Sequence, residues 1–344
     1  MCVGSLHRYS QAAVVRLTPK VHLRPPSALG DNQQTMIGIV LRFVVLAALF
    51  CFGTAASAAA RVEHVFIISI DGGKPLGIQN SQMPVIKKLI KEGACTWLAQ
   101  TINPSLTLPA HTSMLTGVPM EKHGVTWNNW SPSNGLVSVP TVFTAAKQAG
   151  LSTAMFVGKE KFRHFLQPNT VDEFWYDAAN AVVVMKSDSG GKVVKKEGNI
   201  FAIQVATNAA DYIIKNKPNL CFIHFTDPDT VGHEFGWDTR EQLKSFADVD
   251  VALGLIRKAI QKAGIARQSV IIISADHGGH GKGHSQGTPE DKTIPWIAWG
   301  QGVRKRFTIT DPVGTCDTAA TALWLLGVQP IAAMDGVPVT SAFK

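Results

Sequence analysis

VFIISIDGG (residues 65–73) and VIIISADHGGHGKGH (residues 270–284) decide how this chain folds. Both open on runs of β-branched residues, which predicts fully buried strands of a parallel sheet. Asp71 and Asp276 then fall just past the carboxyl ends of their strands, where open α/β sheets place ligands. A buried carboxylate is costly unless it is paired or bound to metal, so these aspartates call for a partner. A third segment, FIHFTDPDTVGH (residues 222–233), follows the same plan with Asp229 and His233, and the second segment adds His277 and His284. Asp with neutral His and no Cys nearby suits zinc or a similar divalent ion. Two such ions would clamp the attacking and leaving oxygens of an in-line displacement at phosphorus. Thr107, in SLTLPAHTSMLTG (residues 105–117), stands where a nucleophile is needed.

Between these segments the pattern alternates. Helical spacing is predicted over 84–92, 107–115, 142–148, 201–216, 239–263 and 317–326, with Gly93, Gly150 and Gly327 as stops. Strands are predicted over 95–101, 152–157, 219–225 and 269–274. The 239–263 helix places Phe246, Val249, Leu253, Ile256 and Ile260 on one face. Strands alternating with helices give an α/β fold, a doubly wound and mostly parallel sheet with helices on both faces. Residues 176–200 are less regular and read as a hairpin or small excursion, with no large cap domain.

The amino terminus reads as an export segment. Met36 is a candidate true start, Arg42 a lone basic residue, and 43–53 an apolar stretch followed by small residues. Ala56-Ser57-Ala58 and Ala58-Ala59-Ala60 both fit a cleavage site, an uncleaved anchor being the alternative; Cys51 lacks the small residues a lipoprotein would place before it. The expected division is 1–58 as extension and signal peptide and 59–344 as one catalytic domain, periplasmic or secreted, with no stable membrane span after cleavage. Removing 1–58 takes away five basic groups and one acid, so the net charge falls from +8 to +4. That balance suits a small phosphorylated substrate and gives no run long enough for nucleic acid as a specific partner. Cys95, Cys221 and Cys316 remain, without metal-like spacing.

Together the Asp71 strand, Thr107-Leu-Pro-Ala-His111-Thr-Ser-Met-Leu-Thr-Gly117, Asp229-x-x-x-His233 and Asp276-His277-Gly278 resemble the alkaline phosphatase superfamily, in its type I phosphodiesterase and nucleotide pyrophosphatase branch. The resemblance implies one metal site from Asp71, Thr107, Asp276 and His277, and another from Asp229, His233 and a later His. No His follows His284, so His284 is the choice and His280 the second. The cofactors implied are two divalent ions, zinc first. Asn128, in TWNNW (residues 126–130), matches the family's Asn that holds a phosphoryl oxygen. Thr107 would attack phosphorus to give a phosphothreonine intermediate, with Asn128 and the Leu108 amide on the non-bridging oxygens.

Lys159 and Lys161, in GKEKFR (residues 158–163), resemble the Lys-x-Lys that contacts the substrate carboxylate in phosphonoacetate hydrolases. A solvated charged helix start is the alternative reading. His111 and His224 read as packed, hydrogen-bonded structural residues, and Trp127 and Trp130 as pocket wall or packing. The expected function is hydrolysis of phosphodiester or pyrophosphate bonds of a small anionic substrate, a nucleotide among the candidates. The alternatives are a phosphomonoesterase or phosphonoacetate-type hydrolase on the same site, and an exported relic that binds without catalysis. A sulfatase is excluded because Thr107 lacks the C/S-x-P-x-R context.

Overall fold

A computed structural model describes residues 62–187, 193–332 and 334–344. The export segment read in 1–58 lies outside the described residues. In chain order the elements are β1 (His64–Ile70), α1 (Pro75–Asn80), α2 (Pro84–Glu92), β2 (Ala94–Gln100), α3 (Thr107–Thr116), α4 (Met120–His123), α5 (Val142–Gln148), β3 (Thr153–Val157), β4 (Glu173–Trp175), β5 (Val182–Ser187), β6 (Val193–Asn199), α6 (Ala202–Asn216), β7 (Leu220–Phe225), α7 (Asp227–Phe235), α8 (Arg240–Lys262), β8 (Ser269–Ser274), α9 (Pro289–Lys292), β9 (Thr293–Gly300), β10 (Phe307–Thr308) and α10 (Asp317–Leu326).

Eight strands form one sheet in the order β10-β2-β9-β8-β1-β7-β3-β4. β1 pairs in parallel with β8 and β7, so Asp71, Asp276 and the turn into Asp229 emerge at the same sheet edge. Only β9 runs against its neighbours, antiparallel to both β8 and β2. The alternation of β1 divides the core. Val65 and Ile67 pack with Leu108, Phe143 and Leu323 on one face, while Phe66, Ile68 and Ile70 pack with Leu89, Val205, Phe246 and Ile256 on the other. Burial on both faces is why this strand is apolar throughout, and each large side chain so buried contributes about 1.5–3 kcal/mol.

The five residues placed on one face of α8 are all buried, and Thr239 caps that helix by accepting from the Gln242 N–H. β5 and β6 pair antiparallel with each other as a separate two-stranded sheet. Unforeseen were β4, β9, β10 and the short helices α1, α4, α7 and α9. TIPWIAWG of β9 carries a proline and two tryptophans, and Pro295, which has no N–H to donate, sits where the β2–β9 register shifts between Thr96 and Ala99.

Candidate active site

Three loops at one edge of the sheet carry the acidic and imidazole groups. The tight Gly72 turn, with φ of +69°, brings the Asp71 loop against Asp229; a Cβ at Gly72 would lie 3.0 Å from the Asp229 Cα. Asp229 sits in the first turn of α7 and His233 in its last, four residues apart and therefore on one helical face. Asp276 and His277 follow β8 after Ala275, and the Asp276 Oδ1 accepts the backbone N–H of Gly72 (3.2 Å) and of His277 (3.0 Å).

Two groups of possible ligand atoms result. Asp71, Asp276 and His277 converge in one, Asp229, His233 and His284 in the other, with the atoms of each within 4.8 Å of one another. His280 joins neither; it lies 2.8 Å from Asp291 Oδ1 and 3.2 Å from Gln286 Oε1. The His277 and His284 rings stack at 3.6 Å between centroids and link the groups.

The orientation of the three imidazoles is set from behind. Each donates its Nδ1–H to a backbone carbonyl: His277 to Gly278 (2.9 Å), His233 to Lys282 (2.9 Å) and His284 to Ser105 (2.7 Å). The Nε2 atoms are thereby turned onto carboxylate oxygens. Nε2 of His277 lies 3.3 Å from both Asp71 Oδ1 and Asp276 Oδ2, and Nε2 of His233 and His284 lie 3.2 and 3.6 Å from Asp229 Oδ1. Burial holds the His284 imidazole well below its ordinary pKa, and the His277 charge adds to this, so it is neutral with a lone pair facing an anion. Such a pair of lone-pair surfaces needs a cation between them. Asp71 Oδ1, Asp276 Oδ2 and His277 Nε2 are moreover buried without a hydrogen-bond partner among the described residues. A donor set of aspartates and backbone-anchored imidazoles fits a divalent ion in both places.

Charge compensation without metal is uneven. Burial acts to raise the Asp71 carboxyl, but the Lys159 ammonium and the His224 hydrogen bond hold it well below the usual carboxylate range. Burial and then the Asp71 charge push Asp276 up to about 8. His277 is lowered by burial but raised more by Asp276 and Asp71, to about 9.

Thr107 is the first residue of α3 and 2 % exposed. Ser105 just before it is tied to His284 through both the His284 Nδ1–H and the hydrogen bond from its own hydroxyl to the His284 carbonyl. His111, one turn on, donates its Nδ1–H to the Thr107 carbonyl (2.7 Å) and lies 3.5 Å from Asp276 Oδ2. Thr107 is thus anchored to both groups. Asn128 arrives from the following loop. Its Oδ1 accepts from the Leu108 N–H (2.8 Å) and from Lys161 Nζ (3.3 Å), so the two donors expected on the phosphoryl group, Leu108 and Asn128, are paired with each other. Lys159 is buried and lies 2.7 Å from Asp71 Oδ2 and 2.6 Å from Asp229 Oδ2. Trp127 and Trp130 both pack their rings against His164.

His224 is more than packing. Its Nε2 donates to Asp71 Oδ2 at 2.9 Å, which holds that carboxylate from behind. Nothing local in the sequence separates it from a packing residue: it is the penultimate residue of β7, and its register with Ser69 of β1 sets it beside the Asp71 turn.

A mostly parallel sheet with two acidic-imidazole groups and a helix-terminal threonine at its carboxyl edge defines an alkaline phosphatase-like scaffold. The family model of type I phosphodiesterase / nucleotide pyrophosphatase matches residues 65–282, and the chain belongs to that family, whose members are metal-dependent hydrolases with a two-metal site. GPI ethanolamine phosphate transferase 1 of Saccharomyces cerevisiae is 24% identical over 286 residues, covering 74% of this chain and 30% of the relative. Bis(5'-adenosyl)-triphosphatase ENPP4 of Bos taurus is 21% identical over 252 residues, covering 66% and 49%. The chain thus spans half or less of the length of these two relatives. Among solved structures, murine ectonucleotide pyrophosphatase / phosphodiesterase 5, as an inactive threonine-to-alanine variant in complex with AMP, matches with a TM-score of 0.65 at 13% identity, over 82% of this chain and 100% of that one. At that identity the match shows the fold. Among the described residues no helix is long and apolar enough to cross a membrane.

Proposed function

We propose that the chain is an exported two-metal hydrolase that cleaves phosphodiester or pyrophosphate bonds of a small anionic substrate through a phosphothreonine intermediate. The observation that carries this is the back-anchored set of imidazoles whose Nε2 atoms face buried carboxylates across two adjacent gaps. Asp71, Asp276, His277 and the Thr107 hydroxyl would hold one ion, and Asp229, His233 and His284 the other, zinc being the ion this donor set favours. Bound there, the ions would lower the pKa of the Thr107 hydroxyl and of a water molecule and neutralise charge on the phosphoryl oxygens.

Thr107 Oγ1 forms the new P–O bond as the leaving-group oxygen departs, and its proton passes to solvent. Water then attacks the phosphothreonine, releasing the phosphoryl product and restoring the hydroxyl. The amide N–H of Asn128 donates to a non-bridging oxygen; its Oδ1 is occupied by Leu108 and Lys161, which turns the NH2 group toward the substrate. Two named relatives support the reading in kind: ENPP4 is a bis(5'-adenosyl)-triphosphatase, and the solved neighbour is in complex with AMP and inactive as a threonine-to-alanine variant. Residues 59–344 form the catalytic domain on this proposal, with 1–58 serving export to the periplasm or medium.

The test is the ratio of kcat/KM for bis-p-nitrophenyl phosphate to that for p-nitrophenyl phosphate on zinc-loaded protein. A ratio well above one is expected. A ratio well below one would replace the diesterase by a monoesterase or phosphonate hydrolase.

A further inference from the structure

Lys159 has an environment unlike that of a substrate-binding lysine. It follows β3 at the same sheet edge as the site, and its backbone bridges to Asn199 at the end of β6. Asn199 in turn donates its Nδ2–H to the Thr230 hydroxyl in α7, the helix that carries Asp229. The lysine is 2 % exposed, and its Nζ contacts one carboxylate of each candidate metal group, 2.7 Å from Asp71 and 2.6 Å from Asp229. In both cases the oxygen contacted is Oδ2. The other oxygen of each carboxylate faces imidazoles: Asp71 Oδ1 lies 3.3 Å from His277 Nε2, and Asp229 Oδ1 lies 3.2 Å from His233 Nε2. One ammonium therefore grips the outer oxygens of both groups and leaves the inner oxygens pointed into the two gaps.

We propose that Lys159 is a built-in counter-ion shared by the two metal groups, a positioning residue that neutralises and orients Asp71 and Asp229 so that the site is assembled before metal arrives. Three buried aspartates converging at one sheet edge would otherwise repel one another and carry an uncompensated desolvation cost. Metal binding supplies that compensation independently, so the lysine matters most to the metal-free protein. The pair Lys159 and Lys161 then serves the protein's own groups, Lys159 the carboxylates and Lys161 the Asn128 amide, instead of a carboxylate on the substrate. This assignment rests on the two-metal reading.

The test is thermal unfolding of the full chain and its Lys159→Met variant, each stripped of metal with chelator and each reloaded with zinc, together with KM for bis-p-nitrophenyl phosphate. Removing one partner of a buried pair is expected to lower the metal-free Tm by about 5–15 °C. The zinc-loaded Tm is expected to fall by less than half as much, so the zinc-induced gain in Tm is larger in the variant than in the wild type. Equal losses with and without zinc would reduce Lys159 to packing and overturn the proposal. Unchanged Tm values with a raised KM would make it a substrate ligand and overturn it equally. Lys159→Arg, which keeps the charge, is expected to recover most of the metal-free Tm; if Lys159→Met does not fold without metal, an arginine variant that also fails overturns the charge assignment. A wild type whose Tm does not respond to zinc would refute the two-metal reading itself, a result separable from the others.

Discussion

Asn128 offers the sharpest test of how the site handles charge. Its Oδ1 accepts from the Leu108 N–H at 2.8 Å and from Lys161 Nζ at 3.3 Å, which fixes the amide so that only its NH2 can serve the phosphoryl group. Asn128→Ala removes one preorganised donor, a loss of about 10²–10³ in kcat, or roughly 3–4 kcal/mol of transition-state stabilisation. Asn128→Asp is nearly isosteric and still accepts from Leu108 and Lys161, but it replaces the donor by an anion. At about 4 Å from a non-bridging oxygen, with an effective dielectric of about 20, that repulsion is on the order of 4 kcal/mol, or up to about a further 10³. The order wild type > Ala > Asp is therefore expected in kcat for bis-p-nitrophenyl phosphate, with zinc content unchanged because Asn128 belongs to neither metal group. An Asp variant more active than the Ala variant would refute the assigned amide orientation, and an Ala variant within about threefold of wild type would remove Asn128 from catalysis.

The remaining outcomes concern the nucleophile, the last ligand and pH. Thr107→Ala is expected to lose turnover by on the order of 10⁴ or more while keeping its fold and most of its zinc, and acid quenching with ³²P-labelled substrate should leave label on the wild type alone; a labelled Ala variant would move the nucleophile elsewhere. His284→Ala should weaken zinc binding at least about tenfold in a chelator competition, whereas His280→Ala, which removes only a partner of Asp291, should not, and the reverse order would exchange the two. The pH dependence of metal-free stability has a defined sign. Asp276 is raised from 3.8 to about 8 and His277 from 6.5 to about 9, whereas His111, His123, His224 and His284 are lowered and are neutral in both states above about pH 7; from there to about pH 9 the folded state holds protons that the unfolded chain releases, and stability falls as pH rises. The slope should approach about 1.4 kcal/mol per pH unit per proton, and zinc, which displaces those protons, should remove it; denaturant midpoints at pH 7 and 9 that do not differ without metal would contradict this.

Much of this was legible in the sequence because the chemistry sits at boundaries that periodicity marks. Asp71 and Asp276 end apolar runs, so strand ends alone brought them to one edge; Asp229 and His233 were singled out by the end of a third apolar run and the Asp-x-x-x-His motif, while the helix that sets them one turn apart was not read. His284 over His280 followed from order in the chain, while its anchoring through Ser105 depends on a contact 179 residues distant. Long-range side-chain contacts explain what was not legible. His224 alternates like a core residue, and only the register of β7 on β1 puts its ring behind Asp71. Lys159 read as a substrate ligand or a solvated helix start because nothing local shows that two aspartates lie at 2.6–2.7 Å. β9 escaped because an antiparallel strand with proline and two tryptophans carries neither the alternation nor the β-branched run of its neighbours.

On the proposed function two ions occupy the paired groups and both are needed for turnover. Zinc titration of the stripped full chain, with bound metal measured by mass spectrometry and bis-p-nitrophenyl phosphate hydrolysis measured in the same samples, tests it directly. Binding should saturate at about two ions per chain, with most activity appearing on the second equivalent. Saturation at one ion with full activity, or activity that survives complete stripping, would contradict it.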